Sequence, residues 1–216
     1  MKRQKFKYPG DAAMEMFLLK HQCPTPFHVV RMRFLGEIAS PDLAVSPMKT
    51  IESFWPKGLP EFEDEGQLKP FVETLLGLWN RMSRHQNGVL VKLVKPRRLR
   101  DWSDTAATCR TRAEEIRDGF LVGLRGSGEP AFLPEAIVEA ISGLEEIASL
   151  FEETGSRIEG PERDEDELSL EDHRLLLEDR TKVIETLLTE IVKLSTKLRQ
   201  ASIEAMADLD DETPLH

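Results

Sequence analysis

The chain has few cysteines and histidines, and neither residue type is arranged as a site. The two cysteines, Cys23 and Cys109, have no CxxC or Cys/His ligand spacing, and no histidines form an HxxxH or HExxH pair. Zinc sites and disulfide frameworks need such spacings. We therefore expect no metal and no cofactor, and two free thiols suit a reducing compartment. The histidines are His21, His28, His85, His173 and His216.

Motifs of nucleophilic and phosphate chemistry are also missing. There is no GxSxG elbow, and the glycines of 126–128 are not followed by GK[ST], so a plain turn is favoured there. The acids of 61–65 precede an expected helix, where the helix dipole alone favours them. These absences predict a protein that is not an enzyme. An enzyme whose site is assembled from distant residues stays open as an alternative.

The chain lacks a long apolar run and an excess of positive charge. Residues 20–22 (Lys-His-Gln) interrupt the first apolar stretch, 14–19, so we expect no secretory signal, no membrane span and a cytoplasmic location. The basic first ten residues are expected to be disordered. The net charge of -10 argues against broad nucleic-acid binding, while 40% hydrophobic residues suffice for a core in a chain of 216 residues.

What the sequence does contain is glycine inside apolar helix stripes. Gly36 lies in one such stripe, and Gly119 and Gly123 lie in another. Glycine within a helix costs about 1 kcal/mol relative to alanine. Close approach of a second helix is the usual gain, so the pattern predicts an all-α fold, a compact multi-helix bundle built around two such contacts.

The remaining pattern is helical apart from one segment. We expect helices over 12–20, 27–39, 47–55, 66–84, 105–124 and onward from Pro134. Residues 89–94 (VLVKLV) look like a strand, but the chain offers no pairing partner, so an extended connector or a short helical turn is equally favoured. The expected organisation is a disordered 1–10, a helical domain over 11–155, an acidic linker over 156–170 and a long helix over 171–208.

The long C-terminal helix carries a seven-residue repeat that has two interpretations. About three good heptads are typical of a coiled coil, which predicts a homodimer. Packing back onto the core is the other interpretation and the favoured one, because Leu188 and Val192 widen the apolar stripe beyond a narrow seam. The positions of the candidate oligomer helix are Leu177, Ile184, Leu187, Ile191, Leu194 and Leu198.

A basic segment stands out on this acidic chain, over residues 92–112. It has three interpretations: a loop neutralised by the chain's own acidic linker, a surface for an acidic protein, or a nucleic-acid contact in which Trp102 stacks on a base. The nucleic-acid contact is the least favoured of the three. The candidate interaction surface consists of Lys95, Arg97, Arg98, Arg100 and Trp102, with Lys92, Arg110 and Arg112 around it.

Three stretches resemble the YecA/YgfB-like bacterial family. They are FLGEIASPDLAVSPMKTIESFW (34–55), GLPEFEDEGQLKPFVETLLGLWNRM (58–82) and AEEIRDGFLVGLRGSGEPAF (113–132). The resemblance covers about 27–155. Arg117 and Phe132 stand where tryptophan is common in the family, and the Cys/His zinc module that some members carry at the C-terminus is missing. The matching positions are Phe34, Leu35, Ala39, Pro41, Pro47, Trp55, Leu59, Pro60, Phe62, Asn80, Gly119, Phe120 and Gly123.

The resemblance implies an all-helical fold and brings no established activity and no catalytic residues. Together with the missing chemistry, the long last helix and the segregated charge, it leads to a functional expectation. We expect a non-enzymatic, cytoplasmic protein that binds another protein as a regulator or adaptor. The alternative is a nucleic-acid-associated factor that uses residues 92–112.

Overall fold

All regular structure in the described residues is helical, as the sequence predicts. The computed structural model describes residues 6–43, 45–94, 99–126, 133–160 and 169–211, with the side chains of the last helix described to 207. The elements are α1 (Asp11–Lys20), α2 (Phe27–Ala39), α3 (Pro47–Ser53), α4 (Glu65–Met82), a 3₁₀ turn (Ser83–Asn87), α5 (Trp102–Glu114), a π-helical segment (Glu115–Leu121), α6 (Val122–Arg125), α7 (Glu135–Glu159) and α8 (Leu170–Asp211).

The three glycines lie where α2 crosses the π-helical segment and α6. A methyl group on Gly36 would overlap the carbonyl oxygen of Phe120 and lie 2.7 Å from the amide nitrogen of Leu124. One on Gly123 would lie 2.8 Å from the amide nitrogen of Glu37. The backbones of the two helices are therefore in direct contact, as the glycine pattern predicts, and a side chain at these positions would force them apart.

Residues 89–94 form an extended connector, which was one of the interpretations left open, and they pair with no strand among the described residues. Val91 and Leu93 are buried, and their amide groups donate to side chains of α8. The two acceptors are Thr189 Oγ1 at 3.1 Å and Glu185 Oε1 at 3.0 Å. The segment remains extended because helix side chains take the place of the missing partner strand.

The C-terminal helix folds back onto the core. Leu177, Ile184 and Ile191 are buried against the preceding helices, together with Leu188 and Val192, which widen the stripe. Of the other candidate oligomer positions, Leu187 and Leu194 pack against the core, and Leu198 is half-buried. The chain's own helices thus cover much of the heptad face.

Two expected boundaries shift. α7 continues to Glu159, beyond the expected end of the domain at 155, because Gly155 is buried against α5 with only van der Waals contact to Cys109. Residues 6–10, expected to be disordered, pack on the fold: Tyr8 touches the core, and the carbonyl of Lys7 lies against Gly77 of α4. Residues 1–5 and 161–168 lie outside the described residues.

Gly36→Ala is expected to destabilise the fold by at least about 2 kcal/mol, because the neighbouring atoms belong to backbone that cannot rotate away. Gly143→Ala is the matched control, since its methyl would meet only the flexible tip of Leu187 at 3.4 Å. The control should be neutral or gain up to about 1 kcal/mol of helix propensity. Urea denaturation measures both, and equal effects in the two variants would contradict the close crossing.

Ile191→Ala is expected to lower the free energy of unfolding by about 2–5 kcal/mol, because it leaves a cavity between α8 and the core. Ile203→Ala, at an exposed position of the same helix, should change it by less than about 0.5 kcal/mol. The wild-type denaturation midpoint should not move over a tenfold range of protein concentration. A midpoint that rises with concentration would indicate that α8 is stabilised by a second chain.

Candidate functional site

A groove with a volume of about 600 Å³ lies between α1 and α5. Its floor is the loop 23–26 and the start of α2. The residues that each helix contributes are spaced by three and four, so one face of each helix forms a wall. The walls consist of Asp11, Glu15, Leu18 and Leu19 from α1, Asp104, Ala107, Thr108, Thr111 and Arg112 from α5, and Glu115, which opens the π-helical segment.

The groove combines apolar surface with an acidic rim. Leu19 keeps 72% of its surface exposed, although it lines the groove, and the exposed Val94 faces it from the connector. Asp11, Glu15 and Asp104 stand around the opening. Asp11 accepts a hydrogen bond from the hydroxyl of Tyr8, and Asp104 accepts one from the backbone of Arg100, which fixes both carboxylates in place.

A buried ion pair lies at the base of the groove. Arg112 and Glu115 keep only 2% and 1% of their side chains exposed, and they pair directly. Arg112 also donates to the carbonyl of Val94 at 2.7 Å, while Arg112 Nε and Glu115 Oε1 have no partner among the described residues. Burial raises the pKa of Glu115, and the adjacent Arg112 opposes that shift.

One arrangement in the groove has the residue types of a thiol–imidazole–carboxylate triad. His28 Nε2 lies 2.7 Å from Glu114 Oε2, and Cys23 also lines the groove. The thiol of Cys23, however, donates to the carbonyl of Phe54 at 3.7 Å, and burial raises its pKa. A thiol that is held protonated is a poor nucleophile, so the geometry does not present an activated cysteine.

The hydroxyl groups of the groove are already engaged. Thr108 and Thr111 donate to backbone carbonyls one turn earlier, of Asp104 at 2.8 Å and Ala107 at 3.0 Å. Such bonds satisfy the hydroxyls within α5 itself. The polar groups of the groove therefore determine the shape and charge of its wall. The exposed apolar surface is the part that remains available for contact with a ligand.

The candidate interaction surface of the sequence is only partly described. Lys95, Arg97 and Arg98 lie outside the described residues. Arg100 is exposed at the start of α5. The ring of Trp102 is half-buried and meets the ring of His173 edge-on, with centroids 5.1 Å apart. A ring that already packs on α8 is not presented for stacking on a base.

Three cations around that surface pair with acids of the same chain. Lys92 binds Glu185 at 2.6 Å, and Arg110 binds Glu159 at 2.5 Å. Arg112 forms the buried pair with Glu115. Glu159 lies within the range 156–170 that was expected to be the acidic linker. These three pairs agree with the interpretation in which the chain's own acids neutralise the basic segment.

His85, which the sequence places at a helix end among arginines, is buried. Its Nδ1 lies 2.9 Å from the carbonyl oxygen of Val89, and burial lowers its pKa. Asp64 of the acidic turn caps α4 by accepting from the amide of Gln67 at 2.9 Å. Both residues thus have structural partners.

Within the described ranges, no group of three His, Cys, Asp or Glu residues is placed to hold a metal ion. Among the same residues, no helix is both long enough and apolar enough to cross a membrane.

Sequence reasoning missed the groove because its walls are distant in the chain. Leu19 and Thr108, for example, lie on α1 and α5. The one local signal is the polar face of α5, where Asp104, Thr108 and Thr111 recur at helical spacing. From the sequence alone this face is expected to be exposed to solvent, because nothing local shows that α1 lies opposite it.

Comparison of the chain with protein-family models, with curated proteins and with solved structures finds no match. The groove is therefore interpreted from its own residues.

Arg112→Met is expected to destabilise the fold by about 3–5 kcal/mol near neutral pH, because it strands the buried carboxylate of Glu115 and frees the Val94 carbonyl. The folded-state pKa of Glu115 lies above its unfolded value, so between the two values the folded chain holds more protons and stability falls as pH rises.

The destabilisation of Arg112→Met should therefore be smaller at pH 5 than at pH 7, as measured by urea denaturation. Arg110→Met, which removes an exposed arginine from an ion pair on the same helix, serves as the control and should cost less than about 1 kcal/mol at either pH. A loss in Arg112→Met that is independent of pH would contradict the role assigned to Glu115.

Proposed function

We propose that this chain is a non-enzymatic, cytoplasmic protein of the YecA/YgfB-like type that acts as a regulator or adaptor by binding a segment of a partner protein. The observation that carries the proposal is the groove between α1 and α5, where exposed apolar side chains lie inside an acidic rim. Leu19 is its central contact, because a leucine exposed in a concavity gains by being covered.

The chemistry of the groove specifies the partner segment. Its apolar wall, with Leu18, Leu19 and Val94, fits one or two aliphatic or aromatic anchors. The rim carboxylates of Asp11 and Glu15 favour lysine or arginine beside those anchors. A basic amphipathic helix meets both requirements, since its apolar residues recur every three to four positions between cationic ones.

The state of the polar groups supports binding over chemistry. The thiol of Cys23 is held protonated, and the hydroxyls of Thr108 and Thr111 are bonded to their own helix. Arg112 and Glu115 are bonded to each other and to the connector. These engagements leave shape, apolar surface and charge as the means by which the groove acts.

The alternative, a nucleic-acid-associated factor, draws less support from the described part of residues 92–112. Lys92 and Arg110 pair with the chain's own acids, and Trp102 packs on His173. Arg100 remains as an exposed cation there. A salt-dependent affinity for nucleic acid that is lost on substitution of Arg100 would revive this alternative.

Leu19→Glu is expected to abolish binding in the groove. The probe is a fluorescein-labelled amphipathic peptide of leucine and lysine, titrated by fluorescence polarisation, with a leucine–glutamate peptide of the same pattern for comparison. Burying a leucine contributes about 1.5–3 kcal/mol, so the dissociation constant should rise at least about tenfold.

Met16→Glu is the matched control, because Met16 is 65% exposed on the same helix but does not line the groove. It should bind the lysine peptide as the wild type does. Quantitative capture from the native host with the two variants as baits extends the test, since the true partner is lost with Leu19→Glu and kept with Met16→Glu. Equal losses in both variants, or binding of the glutamate peptide that is lost with Leu19→Glu and kept with Met16→Glu, would contradict the proposal.

A further inference from the structure

A second surface, of opposite charge, lies where the N-terminal segment crosses the end of α4. A shallow depression of about 460 Å³ lies at this crossing. The cationic side chains of Lys7, Arg81 and Arg84 line it together with the amide of Asn80. We name these four residues the basic depression. In the sequence its parts lie in two separate segments, the basic N-terminus and the end of the helix predicted over 66–84.

Gly77 brings the parts together. A methyl group at this glycine would lie 2.8 Å from the carbonyl oxygen of Lys7, so the N-terminal segment rests directly on the helix backbone. Arg81 follows Gly77 by four positions and Arg84 follows Arg81 by three, which places their side chains on the same side of the helix end. The fold thus places a lysine next to two arginines that are more than seventy positions away in sequence.

The cations of the basic depression are not neutralised by the fold. All three are exposed, and none has an ion-pair or hydrogen-bond partner for its side chain among the described residues. Other surface arginines of the chain pair with acids, as in Arg117 with Glu152 and Arg125 with Glu145. On a chain of net charge -10, three unpaired cations in one depression are therefore a distinct feature.

The helix dipole explains only part of this arrangement. Cations in the last turn of a helix are favoured by the helix dipole, which accounts for Arg81 at the end of α4. The helix dipole does not account for Lys7, because Lys7 belongs to the N-terminal segment and not to α4. Lys2, Arg3 and Lys5 precede that segment in the sequence and add to its positive charge.

We propose that the basic depression binds clustered carboxylates of an acidic protein segment. The forked guanidinium groups of Arg81 and Arg84 suit bidentate bonds to carboxylates, and the amide of Asn80 adds a donor. A nucleic acid is the less suitable ligand. Three cations are few beside the six to ten phosphate contacts typical of a duplex binder, and the overall negative charge repels a long polyanion.

The inference goes beyond the function proposed above, because it concerns a different surface and a partner segment of opposite charge. The groove selects a basic segment, and the basic depression selects an acidic one. The two sites can therefore be tested independently, and Leu19→Glu should leave the binding of an acidic segment unchanged.

Charge reversal in the depression is the direct test. The probe is a fluorescein-labelled peptide of glutamate and leucine, titrated by fluorescence polarisation at low and moderate salt. The double variant Arg81→Glu, Arg84→Glu should bind it at least tenfold more weakly than the wild type. The control is Lys49→Glu, Lys69→Glu, which changes the net charge equally at exposed positions away from the depression and should stay within twofold.

A second variant tests the geometry itself. Gly77→Ala keeps every charge but displaces the carbonyl of Lys7, so the affinity for the acidic peptide should fall while circular dichroism still shows a helical fold. Lys7→Glu, at an exposed position, should weaken binding without altering the urea midpoint.

Three results would overturn the inference. They are absence of binding to the acidic peptide at low salt, equal losses in the two double variants, and preferential binding of a twelve-nucleotide single strand that is lost in Arg81→Glu, Arg84→Glu. The last result would assign the depression to nucleic acid.

Discussion

The direct contact between α2 and the segment around Gly119 and Gly123 is the constraint on which the other features depend. Because glycines stand at the crossing, the two helices touch through their backbones, and this contact sets their relative position. α2 lies at the centre of the fold as a result. Its first residues form the floor of the groove, and the carbonyl of Ile38 near its last turn accepts a hydrogen bond from Arg199 of α8.

Polar side chains hold the extended connector, residues 89–94, which lies outside the glycine crossing. The extended connector has buried residues but no partner strand, and Thr189 and Glu185 of α8 bind its amide groups. On its other edge, Arg31 and Arg112 bind carbonyl groups of Lys92 and Val94. The connector therefore joins the C-terminal helix to the ion pair beneath the groove, so the shape of the groove depends on a segment remote from it in sequence.

The two surfaces described here differ in sign and in construction. The groove is apolar with an acidic rim, whereas the basic depression is polar and shallow. They are adjacent along the chain, because Lys7 lines the basic depression and Asp11 lies on the rim of the groove. The hydroxyl of Tyr8, next to Lys7, donates a hydrogen bond to Asp11. This difference suits the adaptor role proposed above, because oppositely charged segments would not exchange places between the two sites.

Local pattern was sufficient for much of the fold. The glycines of the two apolar stripes predicted the helix crossing, and helical periodicity predicted the all-α architecture. Periodicity, however, states which face of a helix is apolar and not what covers that face. The heptads of α8 therefore leave open both a partner chain and the chain's own core, although the wide stripe favours the core. The packing of Ile184 and Ile191 shows that α8 folds back onto the core.

The sequence by itself determined the helices, their apolar faces and the glycine positions that allow a close helix contact, because these depend on neighbours within a few turns. Tertiary structure alone decided the groove, the pairing of Arg110 with Glu159 and the position of Lys7 over Gly77. Each of these joins residues from separate elements. Their distance in space follows from how whole helices pack, and no local spacing of residues encodes it.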